Sequence, residues 1–441
     1  MNLGWLRFSL WMLAWMALAL VPMAIALLGP LPDTRGQLLE TGVMLGLLGL
    51  GVLSAQALTS GRQRWFARGL GQDDLLRFHR QTGLFGLALV LAHPLTLILA
   101  DARLLTYLDP RDDLLRALAL WFVLLATLTL VASSLWRLTF RLAYEHWRLL
   151  HGGLALLIVV TGLGHALMVD HYTGPLWKKV LLVMAVGAAL TLMAETRLRR
   201  PWRAQRRRWR VEKVGSGRDD SYTLRLLPDS HAGMPFRPGQ FAWLTLGESP
   251  WRLQQHPFSM VSSVDEKDGA VEFTIKALGD FTASVAKVEP GSSAWVEGPY
   301  GVFIWEPGQS PRGAVFITGG VGITPVMAML RTAHDRGVRE PLWLVHASKD
   351  FDNILFREEL AELERDLPLT LVHVLDEPPD DWDGESGKVD EALLRRWLPS
   401  DLSCLPCYLC GPEPMADALE PALLEMGVPA KNLYCERFDM V

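Results

Sequence analysis

The chain has 441 residues, of which 50% are hydrophobic, and a formal net charge of −5. This length exceeds what a single hydrophobic core usually organises, so two or three domains are expected. The charge is mild, and no basic patch with interleaved aromatic residues occurs, which excludes nucleic acid as an expected partner.

The first 200 positions contain six apolar segments that are each long enough to cross a bilayer, since one crossing needs about 20 residues. The segments are approximately 8–28, 37–58, 75–100, 114–135, 147–169 and 176–195. The first is too long for a signal-peptide core and precedes no clear cleavage site, so we expect it to be retained. The sequence therefore predicts an all-α six-helix transmembrane bundle in an integral membrane protein.

Arginines predict the orientation of this bundle. They are concentrated after the second, fourth and sixth segments, whereas the other connections mix fewer bases with acids. By the positive-inside rule both termini are cytoplasmic, with the bundle in the cytoplasmic (inner) membrane, and the third and fifth segments run outward in parallel. The arginines concerned are Arg62, Arg64, Arg68, Arg137, Arg141, Arg197, Arg199, Arg200 and Arg203.

Two histidines lie fourteen residues apart in the third segment, and two more lie fourteen apart around the fifth. Fourteen helical residues rise roughly 21 Å and turn to within about 40° of four full turns, so each pair lies on one helix face near opposite membrane surfaces. Two parallel helices of this kind offer two stacked His–His sites, each suited to a six-coordinate haem iron. One site would be His79 with His151 (the inner pair), and the other His93 with His165 (the outer pair).

A single histidine in an apolar helix is more often a hydrogen-bonded core residue than a ligand. Four at one repeated spacing favour the haem interpretation, because ionisable groups in a membrane are costly and need a reason. Arg77, Arg80 and Arg148 lie near the inner pair and would either bind haem propionates or simply mark the cytoplasmic interface.

From about residue 211 the pattern changes to short alternating segments separated by turn residues, which predicts a small antiparallel β-barrel up to about residue 305. After Pro311 strands alternate with helices, which predicts an α/β unit with a parallel sheet. The expected protein is therefore multi-domain, with limits of 1–200, 205–308 and 311–441.

A glycine-rich turn between the predicted strand 314–318 and a helical run from Val326 is the strongest phosphate-binding signal. Glycines at such a turn let backbone N–H groups approach a pyrophosphate, and the helix N-terminus adds favourable partial charge. The candidate residues are Thr318, Gly319, Gly320, Gly322, Thr324 and Pro325.

Four cysteines lie close to the C-terminus, which does not suggest a secreted disulfide framework. The spacing of Cys404, Cys407 and Cys410 leaves a metal site open. However, Cys410 ends a predicted strand and begins the segment Cys-Gly-Pro-Glu-Pro-Met, for which a family resemblance offers another explanation.

Several motifs, in matching order, resemble a known family. The soluble half is similar to the ferredoxin–NADP reductase superfamily. From about residue 40 onward, the whole chain resembles its membrane members, the NADPH oxidases and ferric reductases, which fuse a six-helix bis-haem domain to a flavin- and nicotinamide-binding module. The motifs are the stretches 256–259, 276–282, 319–325 and 410–415.

The resemblance implies FAD in the β-barrel domain. The first motif would surround the isoalloxazine, with the Ser259 hydroxyl bonded to a ring nitrogen, and the second would hold the FAD pyrophosphate through a glycine turn and the Thr282 hydroxyl. The candidate FAD residues are His256, Pro257, Phe258, Ser259, Lys276, Gly279 and Thr282.

The resemblance also implies NAD(P)H in the α/β domain. Cys410, with Gly411 and Pro412, would lie beside the nicotinamide, and Phe438 would stack on the flavin; Cys410, Phe438 and Ser259 are the candidate catalytic residues. For the adenosine end, Ser348 and Lys349 would receive a 2′-phosphate, which favours NADPH, whereas the adjacent aspartate at position 350 would suit an unphosphorylated ribose.

The function that this resemblance implies is that of an NAD(P)H oxidase or ferric reductase-type flavocytochrome. Electrons would pass from cytosolic NAD(P)H through FAD and two b-type haems to dioxygen, giving superoxide, or to a ferric chelate outside. Two alternatives stay open: electron delivery to an extracytoplasmic partner protein, and a haem-binding membrane sensor whose flavin module is inactive. The intact glycine turn and the 256–259 motif count against the sensor.

Overall fold

The computed structural model describes residues 3–59, 72–308 and 310–437. Its chain divides between Arg200 and Pro201 into two compact units. Phe438, for which flavin stacking is predicted, lies outside the described residues, as do three of the arginines used to predict the orientation, Arg62, Arg64 and Arg68.

Six helices in the described part of the first unit are long and apolar enough to cross a membrane, as the sequence predicts. A helix suits this environment because all its backbone polar groups are satisfied within the segment. The helices are α1 (Leu3–Leu27), α2 (Gln37–Thr59), α3 (Gln72–Ala100), α4 (Leu114–Leu135), α5 (Tyr144–Val169) and α6 (Leu176–Ala194). The helical backbone continues beyond α6 through Glu195–Arg199 into α7 (Arg200–Ala204).

Helix α2 lies at the centre of this unit. It packs closely on both α1 and α3, whereas α5 packs mainly on α4. Gly42, Gly46 and Gly49 line the face of α2 that meets α3, since a side chain added at any of them would contact α3 residues. Small residues at such spacing allow membrane helices to approach closely. The histidine-bearing helix α3 is therefore held by α2.

The first sheet of the second unit is antiparallel, as predicted, with the strand order β4-β3-β6-β1-β2-β5. Its strands are β1 (Trp209–Ser216), β2 (Ser221–Pro228), β3 (Phe241–Leu246), β4 (His256–Ser259), β5 (Val271–Lys276) and β6 (Ser293–Tyr300), with the short helix α8 (Asp280–Ser284) after β5. The sequence pattern does not predict the start of β1, because Trp209 lies within a basic stretch. In the sheet Trp209 and Val211 are buried while Arg210 is exposed, as in a strand with one solvated face.

The second sheet is parallel, with the strand order β10-β9-β8-β7-β11-β12, and apolar clusters cover both its faces. This confirms the predicted α/β unit. The strands are β7 (Ala314–Gly319), β8 (Leu342–Ser348), β9 (Leu369–Leu375), β10 (Glu385–Ser386), β11 (Cys407–Gly411) and β12 (Leu433–Arg437). The helices are α9 (Thr324–Asp335), α10 (Arg357–Asp366), α11 (Glu391–Trp397) and α12 (Glu413–Glu425).

Arg331 of α9 joins the two sheets of the second unit. Its guanidinium donates to both carboxylate oxygens of Glu359, at 2.6 and 2.8 Å. It also donates to the Glu272 carboxylate at 2.8 Å and to the Val261 carbonyl at 3.0 Å, on the antiparallel side. Such charge-assisted bonds fix how the two sheets face each other.

Candidate functional site

The structure brings the four histidines of the bundle together in two pairs. The ring centres of His79 and His151 are 6.1 Å apart, and those of His93 and His165 are 6.2 Å apart. The inner and outer pairs therefore have nearly the same spacing, although one lies near the start of α3 and the other near its end.

This spacing fits one metal ion between the rings of each pair. A metal bound to imidazole lies about 2.0 Å from the ring nitrogen, so two rings sharing a metal have centres about 6 Å apart. Throughout the described part of the chain, no three His, Cys, Asp or Glu side chains group as a metal ion site. A haem iron needs only two protein ligands, because the porphyrin supplies the other four.

Hydrogen bonds at Nδ1 orient three of the four rings. The Nδ1 of His93 lies 2.7 Å from the Gly42 carbonyl, which can only accept, so Nδ1 carries the proton and Nε2 keeps its lone pair. The Nδ1 of His79 lies 2.8 Å from the Thr59 hydroxyl, and that of His151 lies 3.0 Å from the Ser134 hydroxyl. Second-sphere bonds of this kind fix the tautomer of metal-binding histidines.

The two predicted flavin motifs meet in the antiparallel half-barrel. The ring centre of His256, on β4, is 4.2 Å from that of Phe281, on α8. Phe258 stacks near-parallel to Phe281, with ring centres 6.1 Å apart. Ser259 is buried at the end of β4. Phe281, which is not among the candidate residues from the sequence, thus links the two motifs by contacting both aromatic rings of the first.

Two of the predicted FAD residues already have partners within the antiparallel domain. The Lys276 ammonium pairs with Asp219 at 2.6 Å. The Thr282 hydroxyl accepts from the backbone N–H groups of Leu278 and Gly279 and donates to the Gly279 carbonyl. The Thr282 bonds shape the turn after β5, and the Lys276 ion pair ties the end of β5 to the connection between β1 and β2. A role of either side chain in holding FAD therefore stays a prediction.

The predicted glycine turn and the Cys-Gly-Pro segment meet at the carboxyl edge of the parallel sheet. Thr318 on β7 pairs in register with Cys410 on β11, and Cys410 is fully buried. A Cβ on Gly322 would lie 2.3 Å from the Cys410 carbonyl oxygen, so only glycine lets the turn approach this closely. Gly320 has a φ of +52°, which glycine adopts without strain. In open parallel sheets nucleotides bind at this edge.

Ser348 is the last residue of β8, and Lys349 and Asp350 follow it directly. Ser348 is buried, whereas the Lys349 ammonium is largely exposed and lies 3.6 Å from Glu377. The Asp350 carboxylate accepts from the backbone N–H and the side-chain amide of Asn353, at 3.0 and 2.7 Å. Asp350 is therefore engaged in its own turn.

His346 lies beneath this edge and links the predicted pyrophosphate turn to the adenosine end. It is fully buried, with Nδ1 2.9 Å from the Thr318 hydroxyl and Nε2 3.2 Å from the Ser348 hydroxyl. Burial, followed by the nearby His373, lowers the pKa of His346 from 6.5 to about 3. The ring is therefore neutral at physiological pH.

Acid is expected to weaken the parallel sheet through His346. The unfolded chain takes up a proton below pH 6.5 while the folded ring does not until about pH 3, so the free energy of opening falls by about 1.4 kcal/mol per pH unit within this window. Amide hydrogen exchange of β7 and β8 in the full-length protein at pH 7 and pH 5, corrected for intrinsic rates, measures this loss. His346→Asn has no titrating ring at this position, so its free energy of opening should depend less steeply on pH. Equal pH dependence in the variant and the wild type would contradict the role of His346 in this loss.

Comparisons with known protein families match three separate parts of the chain. Residues 45–162 match the family described as ferric reductase like transmembrane component, residues 223–303 an FAD-binding domain, and residues 316–420 an oxidoreductase NAD-binding domain.

Among curated relatives, NADH-cytochrome b5 reductase 1 of Pyricularia oryzae is 33% identical over 171 residues, which cover 37% of this chain and 55% of that protein. The reductase component of propane 2-monooxygenase from Rhodococcus jostii is 30% identical over 240 residues, covering 52% of this chain and 63% of the relative. The chain thus spans less than two thirds of the length of either protein. The solved ferredoxin reductase in carbazole 1,9a-dioxygenase is 26% identical, with a TM-score of 0.47, and the match covers 53% of this chain and 69% of that one.

Proposed function

We propose that this oxidoreductase is a transmembrane flavocytochrome. It joins a ferric reductase-like transmembrane component to FAD- and NAD-binding domains, as a ferric reductase or NADPH oxidase-like fusion does. It takes electrons from cytosolic NAD(P)H and delivers them, through FAD and two b-type haems, to an acceptor on the outer side of the cytoplasmic membrane. When bound, FAD receives electrons in pairs and releases them singly, and haem carries single electrons.

The observation that carries this proposal is the pair of facing imidazole sites at two depths of the bundle. Along α3 their ligands are about 21 Å apart, a large part of a hydrocarbon core of about 30 Å. Only 11% of the apolar window of α3 and of α5 is buried in the protein, against 44% for α2. The two ligand helices thus keep apolar surface for porphyrin and lipid.

The proposed direction of transfer requires both termini in the cytoplasm, with the inner pair on the cytoplasmic side of the membrane. This orientation rests on the arginine distribution. The proposed domain limits are 1–200, 205–308 and 311–441. In this arrangement His79 and His151 hold the first haem, and His93 and His165 hold the second. Arg77, Arg80 and Arg148 are proposed as partners of the inner propionates.

For the soluble half, we propose that Cys410 packs beside the nicotinamide, that Ser259 bonds the flavin ring, and that Phe438 stacks on it. The proposed donor is NADPH. The Asp350 carboxylate accepts two hydrogen bonds from Asn353, whereas the Lys349 ammonium is largely exposed and lies 3.6 Å from Glu377. We therefore propose Lys349 as the main partner of a 2′-phosphate, with the Ser348 hydroxyl, which also bonds to His346, as the second. A carboxylate free to bind the ribose diol would have favoured NADH.

The acceptor is proposed to be dioxygen or a ferric chelate. The purified full-length protein, with FAD and either NADH or NADPH, should reduce its haems. Superoxide-dismutase-sensitive reduction of cytochrome c, measured beside ferric citrate reduction, then separates the two acceptors. Reduced haem with neither acceptor consumed would favour an extracytoplasmic redox partner. Haem that no nucleotide reduces would refute the proposed electron path.

A further inference from the structure

A hydrogen-bonded polar cluster joins α2 to α3 at the inner pair. It consists of Gln56 and Thr59 on α2, and Thr82 with the backbone of His79 on α3. Thr59 is fully buried. The Gln56 amide nitrogen lies 3.1 Å from the Thr82 hydroxyl and 3.3 Å from the His79 carbonyl. Polar side chains inside a membrane bundle are costly, so such a cluster requires a function or a structural need.

The backbone carbonyl of His79 sets the orientation of the Gln56 amide and, through it, the direction of the hydrogen bonds that lead to the His79 ring. A carbonyl only accepts, so the Gln56 group facing it is the NH₂, and the Gln56 Oε1 then faces Thr59, at 2.7 Å. The Thr59 hydroxyl donates to Gln56, through Oε1 or the main-chain carbonyl at 2.9 Å. Its oxygen lone pair is left for His79 Nδ1, at 2.8 Å. His79 therefore carries its proton on Nδ1 and offers Nε2 to a metal.

The outer pair is supported differently. His93 donates to the Gly42 main-chain carbonyl, and in the described part of the chain no hydrogen bond is made by the ring of His165. A substitution at Thr59 thus changes the surroundings of the inner pair and leaves those of the outer pair intact.

We propose that Thr59 is a positioning residue that sets the redox behaviour of the inner haem, and this rests on the proposed function above. An acceptor at Nδ1–H increases the negative charge on the imidazole and strengthens its donation through Nε2, which favours the oxidised metal. Removing the hydroxyl should therefore make the inner haem easier to reduce.

The test compares Thr59→Val, which keeps the branched shape without the hydroxyl, with Thr59→Ser, which keeps the hydroxyl. Redox titration of the full-length protein, followed by haem absorbance and by electron paramagnetic resonance of the ferric state, should show a higher inner midpoint potential in Thr59→Val and an unchanged outer one. The expected size is up to a tenfold change in the oxidised-to-reduced ratio, which is about 59 mV for one electron. Thr59→Ser should restore the wild-type value.

Selective loss of the inner haem in Thr59→Val, with retention in Thr59→Ser, would also support the positioning role. Should Thr59→Val not fold, Thr59→Ala, which also lacks the hydroxyl, should give a shift of the same sign. Two intact haems with unchanged midpoints and spectra in these variants would overturn the inference. A wild-type protein without two bis-histidine haem signals would instead refute the proposed function.

Discussion

Alanine at position 46 is expected to remove the outer haem as completely as alanine at His93, although Gly46 is not a ligand. A Cβ on Gly46 would lie 2.7 Å from Nδ1 and 2.8 Å from Cε1 of His93. The ring would have to turn away, and it would lose both its bond to the Gly42 carbonyl and its position opposite His165. Purified Gly46→Ala should hold about half the wild-type haem, with the inner signal and nucleotide-driven flavin reduction preserved.

Gly49→Ala is the matched control. Gly49 lies one helical turn further along the same face of α2, but its added Cβ would meet Val90 Cγ2 at 3.4 Å, an ordinary van der Waals contact. It should keep both haems and reduce the outer acceptor at the wild-type rate. Full haem content in Gly46→Ala would mean that haem binding does not depend on the position of the His93 ring against α2. This result would weigh against His93 as a ligand.

The two histidine pairs could be anticipated from the sequence, because a helix is a rigid periodic object and fourteen residues nearly complete four turns. Their hydrogen-bond partners could not. Thr59 is 20 positions from His79, and Gly42 is 51 positions from His93. No local periodicity connects such residues, since only the packing of α2 against α3 brings them together. The sequence offers one signal for such partners, which is a hydroxyl residue such as Thr59 in an otherwise apolar helix.

The flavin motifs illustrate another limit of sequence reasoning. Lys276 and Thr282 have the residue types that a pyrophosphate site needs, but the same atoms also satisfy a turn and an ion pair with Asp219. A motif indicates which chemical groups are present but does not show whether they bind a ligand or other residues of the chain. By contrast, the place of the glycine turn could be predicted, because glycines between a strand and a helix mark such a turn. Its role in binding the pyrophosphate stays a prediction, supported by the direction in which a helix N-terminus points its backbone N–H groups.

Gly322→Ala, in this turn, should severely slow the reduction of flavin by nucleotide while leaving FAD in place. The new Cβ would lie 2.3 Å from the Cys410 carbonyl oxygen and 3.0 Å from Gly411 Cα. These are main-chain atoms of β11, which is paired on both sides, with β7 and β12, so the turn must move instead. A displacement of about 1 Å at a positioning site can cost about 100-fold in rate. Stopped-flow mixing with NADPH should show at least this loss.

Two controls separate a misplaced turn from a damaged protein. Dithionite should still reduce the flavin and both haems of Gly322→Ala, because it does not need the nucleotide site. Gly215→Ala, in β1, adds a Cβ with no neighbour within 4 Å and should react with NADPH as the wild type does. Normal NADPH-driven reduction in Gly322→Ala would mean that the pyrophosphate binds elsewhere. The carboxyl edge of the parallel sheet would then not be where the electrons enter.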